Sequence, residues 1–128
     1  MRTALLNRTI LFLSALYLSS CGFTKADSIR DFIPGVYARQ FEGEFSKGSD
    51  TLTIEPLSGA IYLIAHSVSY RRIEDGKLKM PERKLTRLTA VYNESEEVLV
   101  ENRKGLMISF DPSKKILLFG SSVYQKIR

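Results

Sequence analysis

The spacing of apolar positions changes twice along the chain. Residues 9–18 (TILFLSALYL) form one largely apolar run, residues 22–33 are mixed, and from Val36 onward apolar and polar residues alternate in short runs cut by turn signals. Alternation with a period of two puts one set of side chains on each face of a strand. In residues 51–55, Leu52 and Ile54 share one face while Thr51, Thr53 and Glu55 share the other. Residues 60–73 are the longest strand candidate; the first half (Ile61, Tyr62, Leu63, Ile64) is apolar on both faces and is expected to be covered on both, and the second half alternates. Asp75-Gly76 is a hairpin signal, because glycine tolerates the positive φ of a type I′ turn. Further strands are expected over residues 36–41, 84–92, 98–101, 106–110, 115–119 and 123–127, with turns at 56–59, 93–96, 102–105, 111–113 and 120–122. Residues 27–32 have room for one helical turn before Pro34-Gly35 stops it.

About eight short strands joined by short connections pair as antiparallel neighbours. The fold class expected is therefore all-β: an up-and-down meander of about eight strands closing into a small barrel, which removes exposed edges. A two-sheet sandwich is the alternative. Strands of about five residues would leave the barrel interior largely filled by side chains.

The N-terminal run has a different meaning. Arg2 and Arg8 precede it, no acidic residue lies near, and Leu18-Ser19-Ser20-Cys21 follows. This is the layout of a signal peptide, and its end resembles a bacterial lipobox. The run is shorter than the roughly 20 apolar residues that span a bilayer. Cys21 is the only cysteine, so no disulfide forms within the chain, and lipidation gives this exported thiol a use. The expected organisation is a signal peptide over residues 1–20, a tether over 21–33 with a lipid on Cys21, and a barrel over 34–128. Gly22, where an aspartate would signal inner-membrane retention, favours the outer membrane, and Thr24-Lys25-Ala26-Asp27, a poor match to acidic surface-export tags, favours its periplasmic face.

Composition narrows the choice of partners. Removing residues 1–20 takes away two arginines, so 19 basic residues become 17 against 14 acidic ones, a formal +3. That balance is too small to argue for nucleic acid. One histidine and one cysteine make a metal site improbable, and no cofactor is expected. No serine sits in a nucleophile-elbow pattern, and the carboxylate pairs Glu42/Glu44 and Glu96/Glu97 lie beside turns, so an enzyme is not expected.

Two groups of residues remain as candidates. His66 is in phase with Tyr62, Ile64, Val68 and Tyr70, either as a core imidazole or, with Tyr62 and Tyr70, lining a ligand-holding lumen. Other aromatics (Tyr37, Phe41, Phe45, Tyr92, Phe110, Phe119, Tyr124) recur at strand spacing and fit a core or a lumen. Residues 71–87 carry seven cations against three acidic residues. They form either a solvated face that blunts edge pairing or, through Arg71, Arg72 and Lys79, a contact for an anionic partner.

Several stretches together carry a family resemblance: Ile33-Pro34-Gly35-Val36-Tyr37, Tyr70-Arg71-Arg72-Ile73 before Asp75-Gly76-Lys77, Ile108-Ser109-Phe110-Asp111, and Tyr124-Gln125-Lys126-Ile127. Over residues 32–127 the chain resembles small lipoproteins of Bacteroidetes. Its opening Gly-x-Tyr and closing Tyr-x-Lys look like lipocalin-like (calycin-type) barrels. The resemblance implies a lipid-anchored barrel, carries no catalytic residue over, and leaves two expected functions. One is a non-enzymatic interaction or accessory module of the cell envelope with a protein partner. The other is a barrel that binds a small apolar ligand.

Overall fold

In the computed structural model the described residues are 25–128, and side chains are described from Ser28 onward. The expected signal peptide, the lipobox and Cys21 lie outside the described residues. A helix, α1 (Lys25–Phe32), leads into nine strands: β1 (Gly35–Glu42), β2 (Ser46–Ser58), β3 (Ile61–Glu74), β4 (Lys77–Leu78), β5 (Glu82–Asn93), β6 (Val98–Glu101), β7 (Met107–Asp111), β8 (Ile116–Phe119) and β9 (Ser122–Lys126).

Eight of these strands close an antiparallel β-barrel in the order β1-β2-β3-β5-β6-β7-β8-β9, and β4 is an extra strand beside β3. The seam joins the first strand to the last: Tyr37 faces Lys126, Ala38 faces Gln125, and the Val36 N–H donates to the Arg128 carbonyl. Gly35 makes this approach possible. Its φ is +150°, and a Cβ there would collide with the Arg128 carbonyl.

The strands differ greatly in length. β2, β3 and β5 have 13, 14 and 12 residues, whereas β6 to β9 have four or five. The short strands and the matching lower parts of the long ones make a closed ring. Beyond the ring, β1, β2, β3 and β5 continue together as an open four-stranded blade, with the β3–β4 hairpin at its tip. The hairpin turn is Asp75-Gly76, with φ of 51° and 73°, the paired positive values of a type I′ turn.

Inside the ring the inward phase is apolar. Tyr37, Leu52, Ile54, Ile64, Leu99, Ile108, Leu117 and Tyr124 are fully or almost fully buried. The helix closes one end of this core. Ile29 and Ile33 are buried in it, and the Phe32 ring packs edge-on against Tyr37 and Phe110 at 5.9 and 6.2 Å. The Tyr37 hydroxyl lies 2.8 and 2.9 Å from the Phe32 and Ile33 carbonyls and shares its one proton between these acceptors at the helix end. Part of the segment expected to be a tether thus belongs to the domain, because two isoleucines one turn apart supply an apolar face for the barrel floor.

Three local expectations need correction. The turn expected at 56–59 is mostly strand: β2 continues to Ser58 through a bulge after Pro56, the kind of position where a strand tolerates proline. The first half of β3 is buried on one face only; Tyr62 and Ile64 point inward, while Ile61 is exposed and Leu63 partly so. Phe45, expected with the core or lumen aromatics, is 74 % exposed at the blade tip. The turn it occupies lies beyond the ring, where no described residue packs over it.

Candidate functional site

The ring has two unlike ends. The end under α1 is packed. At the other end, where β6 to β9 stop and the blade continues, lies a cavity of about 740 Å³. Its apolar rim comes from the β6–β7 and β8–β9 turns and the adjoining strands: Leu106, Met107, Leu118 and Phe119. Its polar wall comes from the inward phase of β1, β2, β3 and β9: Arg39, Asp50, His66 and Tyr124.

Asp50 organises that wall. It is 5 % exposed and sits in phase with Leu52 and Ile54, where an uncompensated carboxylate would be costly. Three donors compensate it. His66 Nε2 lies 2.5 Å from Oδ1, while the Tyr124 hydroxyl and Arg39 Nε donate to Oδ2 at 2.9 and 3.3 Å. With Nε2 committed to the carboxylate, Nδ1 is the imidazole atom left for another partner. The Arg39 guanidinium lies between the rings of Phe41 and Tyr124, 5.5 Å from each centroid. Burial works against its charge, but the Tyr124 hydroxyl and the Asp50 carboxylate hold its pKa above the ordinary value. Burial pushes the Tyr124 hydroxyl up to about 12, with Arg39 pulling against that shift and Asp50 adding to it. On the rim, Glu101 accepts the Arg103 and Lys104 N–H groups at the start of the turn that carries Leu106. The bond from Lys104 is the main reason its carboxyl is held below the usual range.

The three lumen candidates share one face of β3 but not one site. Tyr62 and Tyr70 each lie four residues from His66, so the row spans about 26 Å at about 3.3 Å per residue. Tyr62 is buried in the packed half, His66 lines the cavity, and Tyr70 is on the blade. The basic candidates do not form one patch either. Neighbours on a strand face opposite ways, so Arg71 and Arg72 point to opposite faces of the blade. Arg71 Nε donates to the Lys79 carbonyl at 2.8 Å, Arg72 pairs with Glu82 at 3.0 Å, and Lys79 approaches Glu74 at 3.7 Å. Of the cavity's central residues, Tyr124 was among the aromatics expected in a core or lumen, whereas Asp50 and Arg39 were not among the sequence candidates. A signal existed in the period-two phase: Asp50 and Arg39 are opposite charges on the inward faces of strands that are otherwise apolar there.

The blade is the second candidate surface. At its tip, β3–β4 pairing puts Ile73 beside Leu78, and the Ile73 N–H donates to the Phe45 carbonyl. Phe45, Leu78 and Met80 are exposed, Met80 by 82 %. Below them a shallow hollow of about 620 Å³ is lined by residues including Phe41, Lys47, Tyr70, Arg71 and Pro81.

These features define the class of protein: an antiparallel eight-stranded β-barrel with one extra strand, a cavity with a polar wall and an apolar rim at its open end, and a projecting blade. Set against models of known families, curated proteins and solved structures, the chain matches none. Among the described residues no helix is long and apolar enough to cross a membrane, and no three metal-ligating side chains cluster.

Proposed function

We propose that this chain is a non-enzymatic interaction module of the bacterial cell envelope, lipid-anchored through Cys21, that meets a protein partner with its blade. The blade carries this reading. A barrel needs only closure to protect its strands, yet four strands run past the ring and end in an apolar tip of Phe45, Leu78 and Met80. Exposed apolar clusters of this kind mark contact surfaces. Chain length adds a direction. Cys21 lies four residues before the start of α1, a reach of about 14 Å at about 3.5 Å per residue. A lipid on Cys21 would hold the helix end near the membrane and point the blade away from it.

Two measurements test this. The intact mass of the protein from native membranes should equal residues 21–128 plus acyl chains, and Cys21→Ala should lose the addition. A photocrosslinker at Met80 should capture a defined protein, while one at Thr53 on the ring exterior should not. An unacylated mass, or equal capture from both positions, would sink the reading.

The cavity favours a second reading, a barrel that holds a small ligand, because its polar wall stands opposite an apolar rim. Native mass spectrometry of envelope-purified protein should then show a retained small molecule that is lost on His66→Ala. A clean apo mass under gentle conditions would count against it.

A further inference from the structure

We propose that the free edge of β5, residues 82–88, is a strand-addition site for an extended acidic segment of a protein partner. This rests on the reading of the blade as a partner surface and specifies the partner's form. β5 pairs with β3 at ten consecutive positions, from Ile61↔Val91 to Tyr70↔Glu82, with no register shift. On its other side it pairs with β6 only from Ala90 to Asn93. Among the described residues no strand pairs with that side of residues 82–88.

Two hydrogen bonds fix which main-chain groups are free. The Tyr92 N–H donates to the Ala60 carbonyl on the β3 side at 2.8 Å, and the Thr89 carbonyl accepts from the Asn102 N–H on the β6 side at 3.0 Å. In an antiparallel ladder each residue turns its N–H and C=O to the same neighbour, and successive residues alternate. Arg83, Leu85 and Arg87 therefore present their N–H and C=O groups to the open side. The free stretch is about 23 Å long at about 3.3 Å per residue, contains no proline or bulge, and carries the exposed Leu85 near its middle. This is the template that β-augmentation uses.

Charge selects the occupant. Glu82 is paired with Arg72, whereas Arg83, Lys84 and Arg87 enter no ion pair among the described residues; Arg83 donates only to the Ser67 hydroxyl. Arg83 and Arg87 share one face of β5 with Leu85 between them, and an incoming strand with alternate acidic residues would neutralise that pair. A second copy of this edge is disfavoured. Antiparallel self-pairing centred on Leu85 would set Arg83 against Arg87 twice, and like charges directly opposite destabilise a ladder. The same cations thus keep the edge from pairing with itself and leave it open to an acidic chain.

The test uses the full chain in detergent micelles and a capped heptapeptide, Glu-Val-Asp-Val-Glu-Val-Asp. Hydrogen exchange read by mass spectrometry should slow at least tenfold at the amides of Arg83, Leu85 and Arg87. A peptide with lysine at the acidic positions should give no slowing. Leu85→Pro removes an N–H that points to the open side and leaves pairing with β3 intact, so slowing should vanish at positions 83 and 87. Arg83→Glu/Arg87→Glu, confined to exposed side chains, should weaken the effect at least tenfold and keeps the test decisive if the proline variant does not fold. No slowing with the acidic peptide, equal slowing with the lysine peptide, or slowing that survives in the variants would overturn the proposal. If the edge fails while the Met80 crosslink persists, only the strand-addition mode falls; if both fail, the blade reading falls with it.

Discussion

Tyr37 and Phe41 lie on one face of one strand, four residues apart, in two different environments. Tyr37 is fully buried in the ring under α1, with its hydroxyl bonded to the helix end. Phe41 stands where β1 has passed the last pairing with β9, half-buried beside Arg39 and lining the blade's hollow. The same contrast runs along β2 and β5, with apolar inward residues in the ring and polar or charged ones on the blade, while on β3 the blade phase mixes His66 and Arg72 with Val68 and Tyr70. Stability is therefore concentrated in the ring. The blade's upper part contributes pairing and surface, and its side chains are free to serve contact.

The comparison is broken most directly by removing apolar bulk from each region. Leu52→Ala deletes a fully buried side chain and should cost about 2–5 kcal/mol of unfolding free energy. Leu85→Ala, on the exposed side of the blade, should change stability by less than about 0.5 kcal/mol. Urea melts of the two variants give the answer. Similar losses would mean that the blade is packed as the ring is, and the division drawn between them would be wrong.

The boundary between the two regions has a weak point of its own. Asp50→Asn keeps the shape of the side chain but removes its charge and replaces one of its two acceptor oxygens with a donor, so His66, Arg39 and Tyr124 can no longer all be served. Breaking a buried charged pair costs about 3–5 kcal/mol. Water reaches part of Arg39 and His66, so a loss of about 2 kcal/mol is expected here. The matched change on the blade, Glu82→Gln, breaks an ion pair exposed on both sides and should cost under about 1 kcal/mol. Equal effects would remove Asp50 as the organiser of the cavity wall.

What the sequence disclosed follows the same division. β6 is legible to the residue, and β7, β8 and β9 to within one at each end, because each is a short run between turn signals. The first third of β2, Ser46-Lys47-Gly48-Ser49, carries no apolar residue; it is a strand because β1 and β3 flank it on both sides. Tertiary pairing supplied what local pattern lacked. His66 was legible by phase, but its partners depend on register across three strand pairs, which no single run encodes. Arg71, Arg72 and Lys79 were grouped by closeness in sequence, although a strand sends neighbouring side chains to opposite faces.

Alkaline pH tests the boundary without mutation. Tyr124 titrates near 12 in the folded state and near its ordinary value of 10 when unfolded. Between those values the unfolded chain binds fewer protons, so stability falls as pH rises. The contribution is fully present below pH 10 and is lost as pH passes through 10 to 12. Stability measured across that window should decline in the parent and decline less in Tyr124→Phe. A parallel decline in both would place the titrating group elsewhere.

A smaller effect than at Asp50 is expected inside the ring itself. The Tyr92 hydroxyl is buried with no hydrogen-bond partner among the described residues, the one such side-chain atom there. Burial, with Glu97 and Glu94 nearby, raises its pKa, so the hydroxyl stays protonated in an environment that gives its proton no acceptor. Tyr92→Phe removes the orphan and keeps the ring. The desolvation cost of an unsatisfied buried group is about 1–3 kcal/mol, partly offset by the small void left behind. The variant should therefore be neutral or more stable by up to about 1 kcal/mol. A clear destabilisation would show that the hydroxyl has a partner in solution, such as an ordered water between β5 and α1, and that the packed end of the ring is wetter than its apolar lining implies.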